Sequence, residues 1–184
     1  ELNSIQLSKL LEIHTGVAIY ATAEGKSAFV KNDKEKNCYP FLTGGDSIKF
    51  SYCVPIFKKY LLYDKNKEKK LNDSFDKNYL KINGSHQRPF NLRKIEEYNR
   101  PKIILRQSDI KLTATYTENL LFGNYSLFNI YSKDNNIDLL KFILCLLNSN
   151  LLTYYAKERN ILLIKPGKTP QIRSGQRGPI GVQQ

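Results

Sequence analysis

Two short runs rich in apolar and β-branched residues lie near the middle of the chain, and they constrain its fold more than any other feature. Lys102–Gln107 forms the first run and Lys111–Thr117 the second, with Ser108 and Asp109 between them. Such residues pack well on a pleated sheet, and a short polar break between two such runs is typical of a hairpin. The pattern therefore predicts a buried strand followed by an antiparallel neighbour.

A long helix is predicted after this hairpin. Apolar residues recur at helical spacing through Ile137–Lys157, and the polar pair Asn135-Asn136 precedes them. The apolar side of this helix is expected to pack on the sheet. The predicted fold class is α/β in the broad sense (α+β), with a mixed twisted sheet of short strands and a long C-terminal helix packed on it.

Shorter elements are predicted in the rest of the chain. One helix is expected to begin at Ser4 and end near Gly16, and another is expected at Leu92–Tyr98. Asp64–Lys70 is expected to be a lysine-rich surface loop. The remaining predicted strands are Val17–Ala21, Ser27–Val30, Ile48–Val54, Tyr60–Tyr63, Ser126–Tyr131, Ile161–Ile164 and Gln171–Arg173.

One domain is the expected organisation. The chain has 184 residues, of which 41% are hydrophobic, and this is enough for one real core. Residues 1–176 are assigned to that domain, and 177–184 to an irregular or truncated C-terminal tail. No internal repeat or low-complexity linker divides the sequence.

The charge balance favours a polyanionic partner. Lysine and arginine number 29 against 17 acidic residues, so the formal net charge is +12. Positive side chains that neutralise phosphates release condensed counterions, which makes excess basic charge the electrostatic signature of nucleic-acid binding. The alternative is a merely soluble basic protein.

The cysteines and the apolar segments indicate a cytoplasmic protein without a membrane partner. Cys38, Cys53 and Cys145 are far apart and odd in number, so they favour neither a zinc site nor a disulfide framework. The N-terminus lacks the pattern of a signal peptide. The longest apolar run, Leu139–Leu147, is too short to cross a bilayer.

The motifs that would bind nucleotides are incomplete. Gly167-Lys168-Thr169 is similar to the end of a phosphate-binding loop, but that loop needs a glycine where Leu162 stands and a helix where Pro170 stands. The sequence also lacks the Asn-Pro-Pro-Tyr-like loop and the glycine loop of adenine methyltransferases. No cofactor is therefore expected in this chain.

No catalytic set is predicted either. Restriction nucleases hold a metal with carboxylates followed by lysine, and Asp64 with Glu68-Lys69-Lys70 fits this pattern loosely. In so lysine-rich a stretch a chance match is the stronger interpretation, and the two carboxylates are too close in sequence to come from two core strands. His14 and His86 have no evident catalytic partners.

Three polar residues at the end of the first hairpin strand are candidates for reading DNA bases. Arginine matches the major-groove edge of guanine, and glutamine matches that of adenine. Arg106, Gln107 and Ser108 stand where side chains can project beyond the sheet. The alternatives are a salt bridge from Arg106 to a helix and a Gln107 that merely faces water.

Small polar turns are the candidates for contacts with the phosphate backbone. Thr15-Gly16, Thr43-Gly44-Gly45 and Gly167-Lys168-Thr169 have bare backbone amides that can approach phosphate oxygens closely. Arg173 beside the last turn and the more distant Arg88 would add positive charge. The candidate DNA-binding residues are Thr15, Thr43, Arg88, Arg106, Gln107, Ser108, Lys168, Thr169 and Arg173.

The order and spacing of four segments resemble the TaqI-like specificity domain of type II restriction-modification enzymes. The segments are Phe41–Asp46 followed by Ile48-Lys49-Phe50, then Arg100–Arg106, Leu146–Leu151 and Gly167–Ile172. Residues Arg177–Val182 depart from the pattern, in which a Leu-Lys-x-x-Pro-Ile run would be expected. The resemblance implies a domain without chemistry of its own, which holds double-stranded DNA and selects the sequence acted on by an upstream methyltransferase or nuclease domain.

The same resemblance implies that the upstream domain uses S-adenosylmethionine and usually methylates adenine at N6. Gripping DNA from both sides would help offset the roughly few kcal/mol needed to unstack the target base. The alternatives are a metal-dependent nuclease domain that uses Asp64 and Glu68, the specificity half of a type I system, and a general RNA-binding module. The sequence lacks the aromatic pattern of common RNA-binding domains.

Overall fold

The computed structural model describes residues 7–19, 23–74, 90–159, 161–163 and 171–172. The helices are α1 (Leu7–Leu10), α2 (Ala23–Phe29), α3 (Lys65–Ser74), α4 (Ile95–Tyr98), α5 (Ile137–Leu147) and α6 (Asn150–Glu158). The strands are β1 (Leu11–Thr15), β2 (Val30–Lys31), β3 (Cys38–Leu42), β4 (Lys59–Leu62), β5 (Lys102–Arg106), β6 (Ala114–Thr117), β7 (Phe122–Gly123), β8 (Leu127–Ser132), β9 (Leu162–Leu163) and β10 (Gln171–Ile172). This content confirms the predicted α+β class.

Four strands form an antiparallel sheet in the order β1-β8-β5-β6. The predicted hairpin is confirmed, since β5 and β6 pair with Ile104 opposite Thr115. Its connection is longer than Ser108-Asp109, because β6 begins only at Ala114. One face of this sheet forms a core with the inner sides of α5 and α6, and its members include Ile103, Leu105, Phe128, Ile130, Leu140, Ile143 and Ala156.

A second four-stranded sheet has the order β2-β4-β3-β7 and is mixed, because β3 and β7 run parallel. One sheet was expected, whereas the described residues form two four-stranded sheets and the short pair β9-β10. Residues Leu42, Ile48, Cys53, Ile104, Leu121 and Leu127 form a buried cluster that includes strands of both four-stranded sheets. The cluster therefore places the ends of β3 and β5 near one another.

The prediction of one helix over Ile137–Lys157 is wrong, since the chain bends by 65° between α5 and α6. Ser149 causes the break: its hydroxyl accepts a hydrogen bond from the Leu152 amide at 3.1 Å and so caps a new helix. Among the described residues, no single helix is long and apolar enough to cross a membrane. Helices α5 and α6 reach the length and apolar composition of a membrane span only when they are counted together, and the chain is sharply bent between them.

The side chain of Asn148, at the bend between α5 and α6, protects the outer edge of β6. Its amide accepts from the Ala114 nitrogen at 2.9 Å and donates to the Ala114 oxygen at 3.0 Å. A side-chain amide thus makes the pair of bonds that a further strand would make, and an edge strand is closed to pairing with other chains at this position. This contact gives a structural reason for the asparagine within Leu146–Leu151.

The N-terminal prediction is also corrected. The helix ends at Leu10, and Leu11–Thr15 is a strand whose Ile13 lies opposite Ile130 of β8. Leu11 and Ile13 pack with the core of the first sheet, so two-residue alternation replaces the helical spacing. Ser4 lies outside the described residues.

Other local predictions fail because short segments have ambiguous patterns. Ser27–Val30 lies mostly in α2, and Ile48–Val54 is not a strand but a chain of turns. Asp64–Lys70, expected as a loop, lies mostly in α3, and the Asp64 carboxylate accepts the Lys67 amide at 2.9 Å at the start of that helix.

The strand at Tyr60–Tyr63 is confirmed as β4, which begins one residue earlier, and the closing strands are confirmed as β9 and β10 within the described residues. Ser126–Tyr131 is confirmed as β8. The helix expected at Leu92–Tyr98 is present only as α4. Val17–Ala21 makes isolated bridges at Val17 and Ala18 in its described part.

Lys102 of β5 is a buried cation held by backbone oxygens. Its ammonium donates to the carbonyls of Tyr98 at 2.6 Å and Asn119 at 2.9 Å. Burial lowers the pKa of Lys102 from its ordinary value of 10.5 to about 8. The lysine therefore joins the segments before and after the hairpin. Burying its charge destabilises the fold, and this penalty falls as pH rises and the ammonium loses its proton.

We expect the free energy of unfolding to rise by about 2 kcal/mol between pH 7 and pH 9.5 because of Lys102. Between the folded pKa and the unfolded pKa, the unfolded chain binds more protons, so deprotonation relieves the folded state. Urea unfolding across this range measures the slope, with Lys102→Met as the matched variant. An equal slope in both proteins would contradict the assignment. Burial raises the pKa of Tyr98 and Tyr131. Above pH 10 these two tyrosines therefore lower the free energy of unfolding as pH rises, opposite to the effect of Lys102.

Candidate functional site

Four turns meet where the two sheets join, and we call them the turn cluster: residues 15–16, 43–47, 106–109 and 123–126. The amide of Gly16 donates to the Leu127 carbonyl at 2.9 Å. The amide of Gln107 donates to the Ser126 carbonyl at 2.9 Å. The turn cluster therefore unites five residues singled out from the sequence, namely Thr15, Thr43, Arg106, Gln107 and Ser108.

Gly16 is required by a close approach of two backbone segments. A Cβ atom on Gly16 would lie 2.0 Å from the Asn124 oxygen and 2.3 Å from the Gly123 oxygen. No side chain fits there, and the face of this glycine is already covered by protein. Gly16 therefore does not present to a phosphate the open backbone surface that the sequence predicted. Of this turn, Thr15 stays a candidate for phosphate contact, because it is exposed at the end of β1.

The Thr43-Gly44-Gly45 turn is similarly occupied by the protein itself. The Thr43 amide donates to the Ser47 hydroxyl at 2.9 Å. Gly44 has a positive φ of 66°, a conformation that favours glycine, and a Cβ there would lie 2.8 Å from the Ser126 hydroxyl oxygen. A Cβ on Gly45 would lie 2.6 Å from the Arg106 guanidinium, so this turn lies directly against Arg106.

Arg106 is bound within the turn cluster. Its Nη1 atom lies 2.9 Å from the Asp109 carboxylate, and the two side chains are only 19% and 16% exposed. The same nitrogen donates to the Ile48 carbonyl at 3.5 Å. Asp109 also accepts from the Thr113 hydroxyl at 2.5 Å. Arg106 therefore forms a salt bridge, as the alternative expected, but its partner lies in the following turn and not on a helix.

Gln107 and Ser108 differ from Arg106. Both are half-buried at the end of β5, and within the described residues no hydrogen bond is made by the Gln107 amide group or the Ser108 hydroxyl. Within this part of the chain, the protein itself does not engage their side-chain polar atoms. Two exposed lysines that the site prediction missed, Lys49 and Lys111, belong to segments that adjoin Arg106 and Asp109.

The other candidates cannot be placed in the turn cluster. Arg88, Lys168, Thr169 and Arg173 lie outside the described residues. Their predicted contacts with phosphates stay predictions.

The carboxylates of the nuclease alternative have structural contacts. Asp64 accepts the Lys67 amide, and Glu68 is buried in an ion pair with Lys65. Across the described residues, no group of three or more histidine, cysteine, aspartate or glutamate side chains could hold a metal ion. These contacts give the nuclease alternative no support from geometry.

His14 lies in a half-buried ionic cluster instead. Its Nδ1 atom is 3.7 Å from the Glu97 carboxylate, and its ring packs against Tyr131 with 5.5 Å between the centroids. Burial, and after it the charge of Arg93, lower the pKa of His14. The neighbouring pair of Arg100 and Glu12 at 3.2 Å gives this cluster an evident structural role between β1 and the segment around α4.

Comparison with protein families finds a match over most of this chain. A family model described as the TaqI-like C-terminal specificity domain matches residues 39–174. The matched region runs from β3 to the residues after β10, and it contains Thr43, Arg106, Gln107 and Ser108 but not Thr15. No curated protein matches the chain.

Proposed function

Because this chain belongs to the family of TaqI-like C-terminal specificity domains, we propose that it selects the DNA sequence on which an adenine-N6 methyltransferase or a fused nuclease acts. Family membership establishes the coarser statement, a DNA target-recognition role in a restriction-modification enzyme, and it implies association with a catalytic module. The family match carries the proposal, and the net charge of +12 supports it.

We propose different roles for the residues of the turn cluster in contacting bases and phosphates. Gln107 and Ser108 are proposed to meet base edges, since their side-chain polar atoms are available and amide and hydroxyl groups can read bases. Arg106 is proposed to position them through Asp109. Thr15, Lys49 and Lys111 are proposed to meet phosphates, as Lys168, Thr169, Arg173 and Arg88 are elsewhere.

The chemistry belongs to another part of the parent enzyme in this proposal. A catalytic module upstream would hold S-adenosylmethionine and the target adenine, and the parent would be a cytoplasmic type II enzyme. This chain would close the other side of the cleft around double-stranded DNA. Its contribution to catalysis is positional, because a duplex held on both sides offsets part of the cost of flipping a base.

The chain by itself is expected to bind duplex DNA weakly and with little sequence preference, because in this proposal the catalytic module forms the other half of the clamp. Fluorescence anisotropy with a labelled duplex should give a Kd of roughly 10⁻⁴ to 10⁻⁶ M near physiological salt, with a steep loss of affinity as salt rises. Lys111→Ala should lower the slope against log salt by about one unit.

Lys69→Ala is the matched control, since Lys69 is also exposed but lies on α3, outside the turn cluster. Its salt slope should stay closer to that of the unmodified chain. Absence of binding at low salt would refute the proposed function for this domain, and equal slopes for both lysine variants would refute the placement of the surface.

A further inference from the structure

The segment that follows the 3₁₀ turn at Gly44–Asp46 presents apolar side chains to solvent. We call residues 49–57 the apolar loop. Five of its side chains are exposed large hydrophobics, namely Phe50 at 63%, Tyr52 at 56%, Val54 at 82%, Ile56 at 49% and Phe57 at 39%. Cys53 between them is buried, with only 9% of its surface exposed, and packs in the cluster between the sheets. Large apolar side chains are thus exposed on both sides of a buried Cys53.

Backbone contacts hold the apolar loop against the first sheet. The Tyr52 amide donates to the Ala114 carbonyl at 3.0 Å, and the Thr115 hydroxyl donates to the Cys53 carbonyl. At the end of the loop, the Ile56 amide donates to the Ser47 carbonyl at 2.9 Å. The exposure of these side chains is therefore built into an anchored loop.

Tyr52 also has an uncommon backbone conformation. Its φ is 62°, in the left-handed region where a bulky residue is a genuine outlier. The amide bond to Ala114 is made in this conformation. Strained positions of this kind persist when surrounding contacts enforce them, and they concentrate at binding sites.

Positive charge lies at both ends of the apolar loop. Lys49 begins it, Lys58 follows it directly, and both are exposed. Residues 49–58 contain no acidic side chain. The loop also adjoins the turn cluster, because Ile48 accepts the hydrogen bond from Arg106. Cations beside an apolar surface are complementary to duplex DNA, where phosphates flank the bases and sugars.

We propose that the apolar loop is a second contact with duplex DNA, in which Phe50 and Tyr52 pack on base or sugar surfaces while Lys49 and Lys58 neutralise phosphates. This inference rests on the proposed function and extends it to residues outside the predicted site. The apolar contribution is insensitive to salt, whereas the lysines act through counterion release.

The chain contains no tryptophan, so one introduced indole reports on one position. We expect the emission of the Phe50→Trp variant to be quenched as a duplex of about 20 base pairs is added at low salt. Tyr154→Trp is the matched control, because Tyr154 is also 63% exposed but lies on α6, and its emission should stay constant.

Affinity gives a second readout. Phe50→Ala combined with Tyr52→Ala should weaken duplex binding about tenfold and leave the salt slope unchanged, while Lys58→Ala should lower the slope by about one unit. Tyr154→Ala combined with Tyr155→Ala should change neither. Thermal unfolding monitored by circular dichroism would verify that each variant is folded.

The outcomes separate the two proposals. If the unmodified chain binds no duplex, the proposed function itself fails. If the unmodified chain binds but the loop variants bind equally well, or if the α6 variants are affected to the same extent, the inference about the apolar loop is wrong. Self-association that disappears in the loop variants, without any change in DNA affinity, would also overturn it and assign the loop to a protein partner.

Discussion

Gly16→Ala is expected to lower the free energy of unfolding by at least about 3 kcal/mol, a large part of the 5–15 kcal/mol typical of a domain. The added Cβ would lie 2.0 Å from the Asn124 oxygen and 2.3 Å from the Gly123 oxygen. Both are backbone atoms and cannot turn aside. Relief requires the end of β1 to move away, which breaks the bond from Gly16 to Leu127.

Urea unfolding followed by circular dichroism measures this loss. Thr15→Ala is the matched control, because Thr15 is exposed beside Gly16, and its stability should stay within about 0.5 kcal/mol of the unmodified protein. A Gly16→Ala variant as stable as Thr15→Ala would contradict the close approach between β1 and the turn before β8.

The second large effect concerns Arg106. Arg106→Ala is expected to cost about 2–3 kcal/mol of stability, because it leaves the largely buried Asp109 carboxylate without its cation and opens space beside Gly45. Gln107→Ala should cost less than about 0.5 kcal/mol, since its side chain has no hydrogen bond within the described residues. In the parent enzyme, Gln107→Ala should instead lose about 1–3 kcal/mol of discrimination at one base position.

A double-mutant cycle tests the role of Arg106 directly. Arg106→Ala and Asp109→Ala should show a coupling energy of about 1 kcal/mol or more, because the two side chains act as one unit. Additive losses would show that the ion pair contributes nothing. An Arg106→Ala variant that keeps its stability but changes the base preference of the parent would make Arg106 a reader of DNA.

The predictions that the structure confirms rest on patterns within one segment. The runs at Lys102–Gln107 and Ser126–Tyr131 contain enough apolar and β-branched residues to favour strands wherever they pair. The family resemblance, confirmed over residues 39–174, depended likewise on the order of motifs along the chain. The basic charge is likewise a property of the sequence and does not depend on the fold.

Contacts between distant segments decided the rest. Leu11–Thr15 is a strand because β8, more than a hundred residues later, offers it an edge. Arg106 lies at the end of the predicted strand, yet its role depends on Asp109, Gly45 and Ile48, which meet only at the junction of the two sheets. A local sequence pattern indicates which secondary structure a segment favours. Which strands pair and which charges become buried depend on how distant segments pack. Only the tertiary structure therefore shows which polar side chains of the turn cluster are bound to other described residues.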